Sequence, residues 1–232
     1  MARLDDQQLG GATLAAIRCS LGTRPRRWLL AITLLVGVLG AVALAAGPPA
    51  GRTFVALSNS TQSLMSVMVP LFGILLARDL KGVRGAASVA PVFTAAMLLA
   101  AAIGLFGILV CAATLAVAAS DAGTGRWSHA GTVVLGSLLV QMLAVLVGTA
   151  LGLLLPSPVV AFAASIVVPL GLWLVLGGVD VLNPTQAWLT PYAATRNLLS
   201  GRMSAAAWLQ WLVVALMWGV GLNAAGVGRL KR

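Results

Sequence analysis

Few side chains in this sequence could do acid–base, nucleophilic or metal chemistry. There is one histidine, His129, and two cysteines, Cys19 and Cys111, and all five acidic residues are aspartates. One histidine cannot build a multi-histidine metal site, and neither an HExxH nor a CxxC motif is present. The sequence therefore predicts that the chain is not an enzyme and that it binds no metal or cofactor of its own.

Six apolar stretches without a charged residue account for most of the chain, of which 60% is hydrophobic. A bilayer core about 30 Å thick needs about 20 apolar helical residues. The sequence predicts an all-α, multi-pass protein of the cell (plasma) membrane, with a six-helix transmembrane domain over residues 28–228. The predicted spans are 28–46, 57–77, 91–119, 130–155, 159–177 and 208–228.

The first span also has the general shape of a signal peptide. Its apolar run, however, is longer than the roughly 7–15 residues of a signal-peptide core, and Arg26 and Arg27 precede it as an anchor. We therefore predict a helix that is not cleaved.

The distribution of positive charge predicts the orientation in the membrane. With both termini in the cytoplasm, eleven of the 15 Lys and Arg residues lie inside and four lie outside. Because positive residues concentrate on the cytoplasmic side, we predict both termini inside, with residues 229–232 as a cytoplasmic tail. The net charge of +10 then indicates contact with anionic lipid of the bilayer and not with nucleic acid.

Residues 1–27 are predicted to form a cytoplasmic amphipathic helix at the membrane interface. Leu14, Ile17 and Leu21 follow a helical period and give one apolar stripe. Arg18 can extend its charged end to lipid phosphates. Such a helix serves as a surface anchor, or it has a further role in contacting a partner.

The second span begins with an unusually polar segment. We expect residues 58–61 to form a helix cap and an interfacial turn, because Ser, Thr and Asn favour such positions. Four later residues, Gln62, Ser66, Met68 and Phe72, are candidates for lining a substrate path. For Gln62, Ser66 and Met68 both interpretations stay open.

Prolines and glycines within the spans predict the helix geometry. Pro70 and Pro169 should each kink a helix, and both lie in a Val-Pro-Leu sequence, which would suit two halves in inverted arrangement. Gly148 and Gly152 form a GxxxG pair that favours close helix packing.

Two segments between spans carry further signals. A charged cytoplasmic loop after span two contains Arg78, Asp79, Lys81, Gly82 and Arg84. It is either an ordinary positive loop or a docking surface for a soluble partner. The longest outer segment, residues 178–207, is too polar to span and predicts one or two short interfacial or re-entrant helices.

The order of these features resembles the membrane (permease) subunit of type-2 ABC exporters. The resemblance covers nearly the whole chain and is one of layout, in a composition that looks like an actinobacterial product. The matching segments are residues 14–21 with 24–27, 78–82, 148–152 leading into 156–158, and 198–201 ahead of the last span. The chain departs from the family at Asp79, where many members carry a Glu or a longer basic segment.

The resemblance implies a permease that exports cargo with energy from ATP. No GxxxxGK[ST] motif is present, so ATP and Mg²⁺ would be bound by a separate pair of cytoplasmic ATPase subunits. A second permease copy, identical or paralogous, would complete a path lined by helices one, two and five. Residues 78–85 and the interface helix would contact the ATPase.

Two other functions would fit the same hydropathy pattern. One is a non-transporting scaffold or assembly protein, and the other is a secondary carrier. Carriers usually need an ionisable side chain within the membrane, and the six predicted spans contain no Asp, Glu, Lys, Arg or His. The sequence does not identify the cargo.

Overall fold

A computed structural model describes residues 22–48, 52–82, 89–118 and 125–230, and every regular element within these ranges is a helix. Six helices are long and apolar enough to cross a membrane. They are α1 (Arg24–Ala45), α2 (Phe54–Gly82), α3 (Val89–Val117), α4 (Ala130–Leu154), α5 (Pro158–Gly177) and a last span (Ala205–Leu230). The predicted all-α fold with six helices suited to span a membrane is confirmed.

The last span has three parts, and a short helical segment precedes it. Its parts are α8 (Ala205–Val214), a π-helical segment (Ala215–Gly221) and α9 (Leu222–Leu230). The preceding segment contains a 3₁₀ turn (Asn183–Thr185), α6 (Gln186–Leu189) and α7 (Pro191–Leu199). In a π-helix the hydrogen bonds run from residue i to i+5, so one extra residue is accommodated. The predicted short helices of the outer segment correspond to α6 and α7.

Several helices begin at hydroxyl side chains that accept a hydrogen bond from the first turn. Thr190 Oγ1 accepts from the Ala193 N–H at 3.3 Å, and Ser204 Oγ accepts from the Ala207 N–H at 3.1 Å. Ser157 does the same for α5. These caps satisfy N–H groups that have no partner within the helix, which fixes where each helix starts.

Helices α2 and α4 form the centre of the bundle and are in close contact along glycines. A Cβ atom on Gly148 would collide with the Pro70 carbonyl oxygen, and one on Gly152 would lie 2.8 Å from the Ile74 Cα. On the α2 side, a Cβ on Gly73 would collide with the Val145 carbonyl oxygen. The absence of side chains at these positions lets the two backbones touch.

The outer helices bury only narrow stripes. Helix α1 buries Thr33, Gly37 and Ala41, and Gly37 leaves room for the side chain of Met65 on α2. Helix α5 buries only Ala161 and Leu176 of its 20 residues. Most other residues of both helices are apolar and many of them are exposed, as expected for surfaces that contact lipid or another membrane chain.

Two expectations about the second span are wrong. Helix α2 begins at Phe54, so residues 58–61 lie inside the helix, where Ser58 and Thr61 are fully buried. The expected loop at residues 78–82 is also helical, since α2 continues to Gly82. Leu80 explains this extension, because it packs against Leu153 of α4 and gives the charged segment a buried side.

Candidate functional site

A cavity of about 300 Å³ lies between α2, α4, α5 and α7 and is partly open to the outside of the bundle. Its wall is mostly apolar. The polar side chains on it are Ser63 and Ser66 from α2, Ser165 from α5, and Tyr192 and Thr195 from α7. Among the described residues, no charged side chain lines it. A ligand in this cavity would be held mainly by apolar contact.

The two helix-interior prolines both line this cavity. Proline has no N–H, so the carbonyl four residues earlier cannot receive its usual helical hydrogen bond. For Pro70 and Pro169 these carbonyls belong to Ser66 and Ser165, which also line the cavity. Two backbone acceptors that lack their helical partner therefore belong to residues of the cavity wall.

Three of the five hydroxyl groups of the wall donate their protons to carbonyls of their own helices. Ser66 Oγ donates to the carbonyl of Ser63 at 2.8 Å. Ser165 and Thr195 each donate to the carbonyl three residues earlier, at 2.7 and 2.9 Å. Since a hydroxyl has one proton and two lone pairs, these oxygens have only acceptor capacity left. These three groups thus offer acceptors to a ligand, whereas the hydroxyls of Ser63 and Tyr192 can also donate.

The turn between α6 and α7 reaches the middle of the bundle. Its residue Thr190 is fully buried, and the Leu189 carbonyl accepts a hydrogen bond of 2.9 Å from the indole N–H of Trp218, about halfway along the last span. Gln186 at the start of α6 donates to the Trp173 carbonyl on α5 at 2.7 Å. These contacts hold the beginning of α7 beside the cavity.

Two buried glutamines connect the central helices. Gln141 Nε2 on α4 donates to Oε1 of Gln62 on α2 at 2.8 Å and to the Gln62 carbonyl at 3.1 Å. Gln62 Nε2 in turn donates to the Gly104 carbonyl on α3 at 2.9 Å. Both amides are fully buried. Because a buried amide without hydrogen-bond partners is costly, these bonds favour the one register of α2, α3 and α4 in which they form.

A second buried polar contact fixes the last span against α4. Thr149 Oγ1 donates to Asn223 Oδ1 at 3.0 Å, and Asn223 Nδ2 donates to the Leu146 carbonyl at 2.8 Å. The same amide nitrogen also donates to the Gly219 carbonyl inside the π-helical segment, at 2.6 Å. Asn223 therefore joins the π-helical segment to α4.

One end of the bundle, here called the charged end, is where α1 begins and where α2, α4 and the last span end. Arg26 of α1 donates two hydrogen bonds, of 2.7 and 2.8 Å, to the carboxylate of Asp79 on α2. Three further cations at this end, Arg78, Lys81 and Arg229, donate to backbone carbonyls around the end of α4. The charged residues predicted for coupling thus also hold helices together.

The structure separates the four residues predicted to line a path. Ser66 lines the cavity, whereas Gln62 and Phe72 are buried in the packing between helices. Met68 is half-buried and does not line the cavity. A role of these residues in a path stays a prediction. The predicted interface-helix residues Leu14, Ile17, Arg18 and Leu21, and the coupling residue Arg84, lie outside the described residues.

Sequence reasoning missed Ser165, Thr195 and Asn223. A signal was available for Asn223, since it is an amide within an otherwise apolar part of the last span. Ser165 and Thr195 carry no such signal, because only the tertiary arrangement places them on one wall with Ser66.

Comparison with known proteins leaves the chain without an assigned family. No protein-family model matches it, and no curated protein matches it either.

Proposed function

We propose that this chain is the permease subunit of an ATP-driven exporter of the type-2 ABC class, located in the cell membrane. It works with a second permease copy and takes its energy from a separate cytoplasmic ATPase pair. The observation that carries the proposal is that α2 runs without interruption from the charged end, at Asp79, to the cavity, at Ser66 and Pro70.

Helix α2 is suited to transmit a movement from one end to the other. Pro70 and Asp79 are nine residues apart, which corresponds to about 14 Å along a helix. Over this length α2 is in backbone contact with α4 at Gly148 and Gly152. A force applied to the end of α2 would therefore move α2 against α4 and change the wall of the cavity between them.

The charged end is assigned to the cytoplasm. Its described cations outnumber those of the opposite end, and positive residues favour the cytoplasmic side. They are Arg24, Arg26, Arg27, Arg78, Lys81 and Arg229, against Arg52, Arg126, Arg196 and Arg202 at the other end. In this orientation an intracellular ATPase would reach the end of α2 and the segment that follows it.

The second permease copy would pack against the exposed apolar faces of α1 and α5. Leu35 and Leu39 on α1 are 55% and 58% exposed, and Val167 on α5 is 64% exposed. A path between two copies would then have the cavity on each side of it, close to α5.

The cavity favours one class of cargo. Its wall is apolar and its polar groups have acceptor capacity, so it suits an apolar molecule that carries hydrogen-bond donors, such as an amine or an alcohol. A carboxylate or phosphate would find only the hydroxyls of Ser63 and Tyr192 as donors, and among the described residues no cation of the wall to balance its charge.

Co-purification tests the proposal most directly. A tagged chain isolated in mild detergent from the cells that produce it should bring down an ATPase, and inside-out vesicles should accumulate an apolar amine only with ATP. Ala144→Trp should block this accumulation, because Ala144 lines the cavity. Leu109→Trp is the matched control, since Leu109 is 60% exposed on α3, away from the faces of α1 and α5 proposed to meet the second copy.

Different results would favour the other functions. A chain that never retains an ATPase and whose Ala144→Trp variant has no effect would support a scaffold. Accumulation that persists without ATP, under an imposed ion gradient, would support a secondary carrier.

A further inference from the structure

Three cationic side chains from two helices converge on one point at the charged end. Lys81 Nζ donates to the Leu155 carbonyl at 3.2 Å, and Arg78 donates to the adjacent Pro156 carbonyl at 3.3 Å. Arg229, from the end of the last span, donates to the Leu154 carbonyl at 3.1 Å. Three consecutive carbonyls at the end of α4 thus bring Arg78, Lys81 and Arg229 together; these three are called the cationic triad below.

The triad has an excess of positive charge. Arg78 and Arg229 are near enough to Lys81 for their charges to repel its own. Of the two acidic residues in the described part of the chain, Asp79 is paired with Arg26, and Asp180 follows α5 at the opposite end. The negative end of the α4 dipole offsets only about half a charge. A site with three cations, and with no carboxylate of the described ranges in contact, has a strong preference for an anion.

The triad also has donors to spare and the right depth. Each guanidinium has five N–H groups and the ammonium has three, and the carbonyl bonds use only part of them. All three residues are exposed at the ends of membrane-spanning helices; Arg78 directly follows the apolar Ala77, and Lys81 lies one turn beyond it. Lipid headgroups lie at this level, and guanidinium groups bind phosphate oxygens through paired hydrogen bonds.

We propose that the cationic triad is a binding site for the phosphate of an anionic lipid headgroup. The lipid would neutralise the excess charge at the end of α4 and would thereby hold α2, α4 and the last span together. The site does not depend on the proposed transport function, because it requires only the bilayer around the chain.

The experiment measures lipid binding to the full chain in nanodiscs or detergent. Native mass spectrometry gives the occupancy of phosphatidylglycerol and of phosphatidylcholine as each lipid is titrated. The double variant Arg78→Gln with Arg229→Gln should bind phosphatidylglycerol about 25-fold more weakly, at about fivefold for each charge removed. Glutamine is too short to keep these carbonyl bonds, but both bonds are exposed to solvent, so thermal stability in phosphatidylcholine should change little.

The matched control is Arg196→Gln with Arg202→Gln, which removes two charges from the opposite end. It should leave phosphatidylglycerol binding unchanged. An equal loss in both double variants would overturn the proposal, because it would show a general attraction to the bilayer. Unchanged phosphatidylglycerol binding in the double variant Arg78→Gln with Arg229→Gln, the charged-end variant, would also overturn the proposal.

Two further measurements distinguish a lipid headgroup from a soluble phosphate or a protein partner at the triad. Inorganic phosphate at millimolar concentration should not displace phosphatidylglycerol; full displacement would assign the site to a soluble phosphate and overturn the lipid assignment. If the charged-end variant loses a co-purifying ATPase but retains lipid binding, the triad contacts protein, which also overturns the proposal.

Discussion

Arg26 holds the carboxylate of Asp79 through two parallel hydrogen bonds and so ties the beginning of α1 to the end of α2. The two residues are 53 positions apart in the chain. Any partner that moves the end of α2 must therefore move α1 as well or break this pair. The pair thus connects α1 to the helix that carries Ser66 and Pro70 of the cavity wall.

Replacing Asp79 should affect coupling more than stability. Asp79→Ala breaks an ion pair in which the carboxylate is 46% exposed, so we expect a loss of about 1 kcal/mol or less in unfolding free energy. Transport per ATP hydrolysed should fall, because α1 no longer follows α2. Transport and ATPase rates measured in the same proteoliposomes give this ratio.

The exchanged pair, Arg26→Asp with Asp79→Arg, is the control. It should recover part of the coupling, since the contact is rebuilt with the charges reversed. Normal coupling in Asp79→Ala would show that the pair has no role in transmission.

Gly148 should tolerate no side chain. In Gly148→Ala the added methyl group would collide with the Pro70 carbonyl, and separating α2 from α4 should cost about 1–3 kcal/mol. Gly171→Ala makes the same change on α5, where a Cβ atom has no neighbour within 4 Å. The midpoint temperature of unfolding in detergent should be lower for Gly148→Ala and unchanged or slightly higher for Gly171→Ala. Equal midpoints for the two variants would contradict the backbone contact.

The effects of replacing the buried residues Gln62 and Gln141 on the free energy of unfolding should not be additive. Gln141→Leu leaves the side-chain oxygen of Gln62 without its donor, at a cost of about 1–3 kcal/mol. The double variant Gln62→Leu with Gln141→Leu removes both partners and should be less unstable than the sum of the two single variants. A double-mutant cycle by chemical unfolding provides the numbers, and simple additivity would mean that the contact is not formed.

The hydrogen bond from Trp218 should restrain the turn between α6 and α7. Trp218→Phe keeps an aromatic ring but removes the N–H that binds the Leu189 carbonyl, so about 1 kcal/mol should be lost. Hydrogen exchange of residues 186–199 should become faster. Trp28→Phe, at a side chain that is 68% exposed, should leave that exchange unchanged.

Hydropathy was sufficient to predict the six long helices, because each must present apolar residues over the thickness of a bilayer. The GxxxG pair pointed to close packing at Gly148 and Gly152, where the two backbones now are seen to touch. Both features depend on local composition, which a single sequence contains.

Features that depend on contacts between distant residues were not predictable. The end of α2 was misassigned because hydropathy falls at Arg78, whereas the helix continues as long as Leu80 finds a buried position against Leu153. The cavity wall likewise combines Ser66 with Thr195, two hydroxyl residues from separate helices that no local pattern relates.

The π-helical segment at Ala215–Gly221 sets the rotational phase of everything after it. Successive residues of an α-helix are about 100° apart around its axis, so one additional residue in a turn rotates the rest of the helix by that angle. Trp218 and Asn223 can therefore serve two different neighbours, the Leu189 carbonyl and Thr149. Converting that segment to an ordinary α-helix would turn Arg229 by about a quarter of a circle, so the π-helical segment in the middle of the last span decides which neighbours Arg229 meets at the charged end.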